Sequence, residues 1–339
     1  MSTLASSMSP RSRATLIGVA VLIAAILAGL LIGPVRIGAA NVFRWLVSFG
    51  GTPAGMSEQE ASILAELRLP RVIVAGLVGA SLAASGAAYQ AVFRNPLADP
   101  YLLGAAAGAG LGATAAIVYA GAVPLPLAAF AGATAAVAGA YALGRSAGGR
   151  ETATLILAGV AMAAFLTALQ TLLLQSDAGN VRAVYTWLLG RLSTAGWSDV
   201  LLVLPYAAAS TAVVLAHARV LDVLRVGDDE ALALGVPVGR VRLLVVGAAT
   251  LGTAAAVAVS GLIGFVGIVV PHAVRLLAGS SYRTVLPLSV LFGAAFLVLA
   301  DVAARTALAP AELPIGVVTA CIGAPFFVVV LRTTRAAST

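Results

Sequence analysis

The sequence predicts an all-α membrane protein of about ten transmembrane helices, and three observations carry that prediction. Of 339 residues, 61% are hydrophobic and 10% are charged, where an ordinary soluble domain carries about 25% charge. So much apolar surface exceeds what one water-soluble core of this length can hide. The apolar residues also fall in long runs, and a run of about 20 spans the hydrocarbon as a helix because a helix satisfies its own backbone there.

The first span, Ala14–Pro34, follows Arg11 and Arg13. It has no convincing cleavage site after its apolar run, so it reads as a retained span and not as a signal peptide. Arg71–Ala91, Tyr101–Ala120, Leu125–Leu143 and Thr152–Leu174 follow, separated by gaps that Gly and Pro punctuate. The second group is Ser198–Ala216, Val241–Ser260, Leu262–Leu277, Val285–Ala303 and Leu313–Leu331. Together they make a single transmembrane domain over 1–339. Residues 1–67 hold the first span and an outer loop, 68–197 spans two to five, 198–242 span six and a cytoplasmic loop, and 243–339 spans seven to ten. Spans two to five and seven to ten are groups of four in opposite senses, the inverted-repeat design of transporters, with the pathway between the repeats.

All 20 basic residues are arginine. Thirteen fall on one side of the ten-span topology: Arg11, Arg13, Arg94, Arg145, Arg150, Arg219, Arg225, Arg240, Arg242, Arg275, Arg283, Arg332 and Arg335. The other seven are Arg36, Arg44, Arg68, Arg71, Arg182, Arg191 and Arg305. The richer side is cytoplasmic, which places both termini there. The net charge of +7 therefore reads as orientation charge and not as a nucleic-acid surface. The absence of lysine excludes a Walker A lysine, a Schiff base and a lysine general base. A single cysteine, Cys321, and two separated histidines, His217 and His272, exclude a disulfide framework and a multi-cysteine metal site, and no metal site is expected.

Small residues recur at helical spacing, as at Gly104, Gly108 and Gly112 and at Ala80, Ala84 and Ala88. Such ridges let helices approach closely in lipid. A phosphate-loop reading of the glycine string lacks both a preceding strand and a lysine. The longest polar interruption on the cytoplasmic side is Arg219–Arg242. Its apolar residues predict two short amphipathic helices around the turn at Gly227, the second ended by Gly235 and Pro237. At this length it exceeds an ordinary connector, and its apolar ridge suits a docking element for a cytoplasmic partner.

RLPR at Arg68–Arg71 and ASGAAYQAVFRNPLADPYLLGAAAGAGLG at Ala84–Gly112 resemble the FecCD/BtuC-type permeases, importers of vitamin B12, haem and ferric siderophores. GLIGFVGIVVPHAVRLL at Gly261–Leu277 and LADVAARTALAPAELPIGVVTACIGAPFF at Leu299–Phe327 fit the same family, so the resemblance covers the chain from Arg68 onward. It implies the type II ABC importer permease architecture. Two copies of such a subunit pair around a central pathway in the bacterial inner membrane. Two cytoplasmic ABC ATPase subunits consume ATP and Mg²⁺, so the permease itself binds no cofactor and is no enzyme. A periplasmic or lipid-anchored substrate-binding protein delivers the ligand.

The same resemblance assigns residues. Arg68, Arg71 and Arg305 match the arginines that receive acidic residues from the binding protein, a pairing for which guanidinium forks are suited. Asp228, Asp229, Glu230, Leu232, Leu234, Gly235 and Val236 match the ATPase-coupling segment. Span five with Gln175–Asn180 resembles the segment that lines and gates the pathway, with Leu166, Gln170, Leu173, Gln175 and Ser176 as its candidates. The remaining polar groups read locally. Asn95, Pro96 and Asp99 shape a turn, Asp301 pairs with Arg305 one helical turn on, and His272 is structural. Tyr185, Trp187 and Trp197 either stack on a ligand or anchor at the interface.

Two other classes compete. A serine protease built on Ser81, Ser85 and His272 has no base placed near its nucleophile. An ion-coupled secondary transporter needs intramembrane carboxylates, and Asp301, the one plausible candidate, has an arginine beside it. A pathway of Leu, Ala, Gly, Thr and Gln suits a bulky ligand that slides. The expected ligand is an iron complex, haem or a ferric siderophore, ahead of cobalamin, a ranking that follows the family's frequencies.

Overall fold

The computed structural model describes residues 10–48, 51–53, 55–119, 123–146 and 152–336. Ala120 and Arg150, which the span and charge readings used, lie outside the described residues. Every regular element is helical among them: α1 (Pro10–Leu31), α2 (Ala39–Val47), α3 (Glu58–Ser62), α4 (Leu69–Val92), α5 (Ala105–Val118), α6 (Leu125–Ser146), α7 (Thr152–Ser176), α8 (Val181–Leu188), α9 (Trp197–Ala216), α10 (Ala218–Leu224), α11 (Asp228–Ala233), α12 (Val238–Ser260), α13 (Val266–Ala278), α14 (Tyr282–Thr306) and α15 (Ile315–Ala336). Among the described residues seven helices are long and apolar enough to cross a membrane, and three shorter apolar helices, α5, α13 and α15, complete ten segments. A wider π-helical turn, Ile63–Arg68, joins α3 to α4 in one continuous helix.

The core is organised around α4. The continuous α3–α4 helix buries 78% of its apolar window inside the chain, against 22% for α1 and for α7. α9, α12, α13 and α14 surround it, and they approach because the contact faces carry almost no side chain. A methyl group on Gly79 of α4 would land on the Gly293 carbonyl of α14, and one on Gly86 on the Gly267 carbonyl of α13. α5 and α6 cross in the same way, with Gly108 against Gly132 and Gly112 against Ala128. With no solvent difference between lipid and a neighbouring helix, this close van der Waals approach is what holds the helices together. Gly104 stands apart from Gly108 and Gly112: its φ of +85° makes it the left-handed residue that starts α5 and not part of the packing ridge.

The two groups of four helices pack alike. α5, α6 and α7 contact one another pairwise, as do α13, α14 and α15. The groups also interlock reciprocally: α4 lies against α13 and α14, and α12 lies against α5 and α6. With α4 and α12 running in opposite senses, this is an inverted repeat.

Two spans are shorter than their apolar runs. α5 and α13 have 14 and 13 residues, about 20 Å of rise against a hydrocarbon core of about 30 Å. Ahead of α5, residues 94–104 fold as turns, with Asn95 Oδ1 accepting from Leu97 N at 2.9 Å and Asp99 Oδ1 from Tyr101 N at 2.7 Å. Ahead of α13, Gly261 and Phe265 both have φ of +69°, so residues 261–265 cannot be helical. Non-helical backbone at membrane depth needs protein partners. Here the Tyr101 hydroxyl donates to Ile263 O at 3.1 Å and lies 3.3 Å from Ile263 N.

Candidate functional site

At the end of the bundle assigned to the outside, three arginines turn inward. Arg68, 4% exposed, closes the C-terminus of α1 by donating to Leu30 O (2.6 Å), Leu31 O (3.2 Å) and Val35 O. The first two are carbonyls that a helix end leaves without partners. Gly33 makes the room, since a methyl there would strike the guanidinium. Arg71 lies between two carboxylates, with Nη2 2.8 Å from Asp301 Oδ1 and Nη1 2.9 Å from Glu312 Oε1. Arg305 is also buried, Nε 3.5 Å from Asp301 Oδ2 and Nη2 donating to Gly29 O at 2.9 Å. The Asp301–Arg305 pair thus forms, but Asp301 has Arg71 as its nearer partner. As placed, Arg68 and Arg305 present no guanidinium outward. The other four arginines of that end, Arg36, Arg44, Arg182 and Arg191, are exposed. Sequence reasoning passed over them because they lie outside the recognised motifs.

At the opposite end, α10 and α11 form the expected helix pair, turned at Gly227. α11 ends in a left-handed glycine: Gly235 (φ +81°) donates to Leu232 O at 2.9 Å and Val236 N to Ala231 O at 3.0 Å. This double closure satisfies the last carbonyls. It leaves Val226, Leu232 and Leu234 as an exposed apolar ridge at 66, 56 and 69% exposure. Asp229 and Glu230 are exposed beside it.

Asp228 faces the chain instead, 3.0 Å from Arg242 Nη2 at the start of α12 and 3.7 Å from Arg94 Nη2 after α4. Asp222 anchors the other side of the loop, accepting from Ser281 Oγ (2.7 Å) and from Tyr282 N (2.6 Å) at the start of α14. The loop is therefore braced to three membrane helices. Asp222 and Arg94 were missed from sequence. The signal for Asp222 is that α14 begins at Ser281 with no acidic residue in its first turn and no side-chain cap of its own, so its orphan donors need a remote acceptor.

Span five is α7, and its candidates divide. Leu166, Gln170 and Leu173 face the chain's own helices, Gln170 being buried with Oε1 against Gly110 of α5. Gln175 and Ser176 are exposed. So are Thr167 and Thr171, which with Gln175 make a stripe at i, i+4 and i+8 on the outward face, one side of the helix at 3.6 residues per turn. Next to it runs a bulky strip of Phe165 and Leu172, 60 and 65% exposed. Trp187 is buried, Trp197 Nε1 donates to Ala65 O at 3.0 Å, and Tyr185 stands exposed. His272 packs edge-on to Phe326, ring centroids 6.0 Å apart. Among the described residues no group of three or more His, Cys, Asp or Glu could hold a metal ion.

The profile of the FecCD transport family matches residues 21–333. An uncharacterised ABC transporter permease protein of Bacillus subtilis, YvrB, is 41% identical over 95% of this chain and 94% of its own. The cobalamin import system permease protein BtuC of Halobacterium salinarum is 46% identical over 82% of this chain and 75% of its own. The hemin transport system permease protein HmuU of Yersinia pestis is 42% identical over 77% of this chain and 80% of its own. Among solved structures, a transporter assigned to the metal-chelate ABC type, in an inward-facing conformation, superposes with a TM-score of 0.83. It shares 30% identity over 95% of this chain and 99% of that one.

Proposed function

This chain belongs to the FecCD transport family, and on that premise we propose that it is the membrane-spanning subunit of an ATP-driven importer for a bulky iron chelate, haem or a ferric siderophore. The observation that carries the reading is the braced helix pair α10–α11. An apolar ridge of Val226, Leu232 and Leu234 held out on the cytoplasmic side has no use in a self-sufficient carrier and fits a groove on an ATPase subunit. The braces from Asp222 to α14 and from Asp228 to α12 would turn movement of that subunit into movement of the repeats. Two copies would face each other across the outward face of α7, where Thr167, Thr171 and Gln175 offer weak polar contacts and Phe165 and Leu172 apolar ones. Such a wall lets a large ligand slide without gripping it. A binding protein would dock at the outer end, where Arg36, Arg44, Arg182 and Arg191 are exposed and Arg191 lines one cavity with Arg71 and Asp301. The chain would lie in the bacterial inner membrane with both termini cytoplasmic, binding no cofactor itself while its ATPase partners use ATP and Mg²⁺. Cobalamin is the second reading, favoured by the 46% identity to a permease named for it.

The test is uptake by liposomes holding the permease with its neighbouring ATPase, offered haem, a ferric siderophore and cobalamin with and without the cognate binding protein. Uptake of one ligand that requires both ATP and the binding protein is the expected result. Gly235→Pro should abolish it while the assembled complex persists, because proline cannot take a positive φ. Ligand movement independent of ATP would overturn the reading.

A further inference from the structure

A groove between α6 and α12, beside the α10–α11 pair, has the shape and charge of a lipid site. Two cavities of about 720 and 580 Å³ adjoin there, sharing Tyr141, Arg145 and Leu243 in their walls. The larger opens at the cytoplasmic end between Arg145, in the last turn of α6, and Arg240, in the first turn of α12. Both side chains are exposed, and among the described residues neither has an ion-pair partner. Asp228 also borders this mouth, with its charge held by Arg242 and Arg94. The smaller cavity runs on between the helices and is lined chiefly by apolar groups, Val137 and Val246 among them. Gly247 deepens it, since a methyl group there would meet no atom within 4 Å. From Thr134 to Arg145 the wall extends eleven residues along α6, about 16 Å of helix, which is the depth of one leaflet in a hydrocarbon core of about 30 Å.

An apolar channel one leaflet deep that ends in two exposed arginines is complementary to an amphiphile with an anionic head. We propose that this groove binds an acidic phospholipid, with an acyl chain against Val137, Val246 and Gly247 and the phosphate between Arg145 and Arg240. Guanidinium forks bond phosphate oxygens in pairs, and basic pockets between membrane helices recognise acidic headgroups. The Tyr141 ring marks the boundary, where an aromatic body lies in the apolar layer and its hydroxyl in the wet one. A zwitterionic lipid fills the groove but brings its own cation to the arginines. Inorganic phosphate uses the mouth and leaves the groove empty. Because Asp228 and Leu232 share the mouth, the bound headgroup would touch the loop proposed to couple to the ATPase.

The test is native mass spectrometry of the purified permease–ATPase complex, delipidated and then given equal phosphatidylglycerol and phosphatidylcholine. The expected result is retention of phosphatidylglycerol over phosphatidylcholine. In Arg145→Gln/Arg240→Gln that retention should fall about 25-fold, at about fivefold for each cation near an anionic headgroup. Both side chains are exposed, so folding is unaffected. Gly247→Leu, which fills the groove and keeps both charges, should also lose the lipid. Equal retention of the two lipids, or retention of phosphatidylglycerol unchanged in both variants, would overturn the proposal. Displacement by inorganic phosphate would make the site one for free anions. Retention by the permease alone that disappears when the ATPase is added would make the mouth an ATPase contact.

Discussion

Asp301 binds Arg71, 230 positions away in the chain, more closely than it binds Arg305 on its own helix: 2.8 Å against 3.5 Å. The carboxylate is 1% exposed, so it cannot be satisfied by water. It serves as a brace between α4 and α14, with Arg305 carrying the brace on to α1 through Gly29 O. Taking one partner from a buried pair leaves a charge without compensation, which costs about 3–5 kcal/mol. Asp301→Asn should therefore lower the unfolding midpoint strongly in detergent. Glu312→Gln removes a 30% exposed partner of the same arginine and should cost about 0–1 kcal/mol. Equal losses in the two variants would rule out the brace.

The helix crossings make a sharper packing prediction. Gly79→Ala places a methyl group on the Gly293 carbonyl and should cost about 1–3 kcal/mol as overpacking. Gly247→Ala enters open space and should stabilise by up to about 1 kcal/mol through helix propensity. Thermal unfolding of the two variants beside the wild type checks both signs.

The orientation of α7 is open to a labelling experiment. In a Cys321→Ser background, which removes the exposed native thiol, Thr171→Cys and Gln175→Cys should react with a charged, membrane-impermeant thiol reagent. Leu166→Cys and Gln170→Cys, on the face turned to the chain's own helices, should resist it. The reverse pattern would assign the pathway to the face bearing Leu166 and Gln170.

Span number and order were legible in the sequence because hydrocarbon thickness imposes one length on every crossing, and α4, α6, α7, α9, α12 and α14 lie within a few residues of their apolar runs. What hydropathy could not show is where an apolar run ceases to be helical. Gly261 and Phe265 adopt positive φ inside a run as hydrophobic as its neighbours, and the Tyr101 hydroxyl satisfies the Ile263 backbone between them. The arginines of the outer end were visible as charges, but whether a guanidinium turns out or in depends on partners such as Glu312, 241 positions from Arg71. On α7, near-uniform hydrophobicity left no moment to separate the face bearing Leu166 from the one bearing Thr171.

The burial of α4 has a consequence for biosynthesis. A helix near the beginning of the chain is enclosed by α9, α12, α13 and α14, the last of which ends more than 200 residues later. When α4 leaves the translocon those neighbours have not been made, so it must wait in lipid with Arg71 lacking both of its carboxylates. The completed bundle then forms in one late step once α14 arrives. Truncated chains that stop before α14 should accordingly be inserted yet remain open to proteolysis.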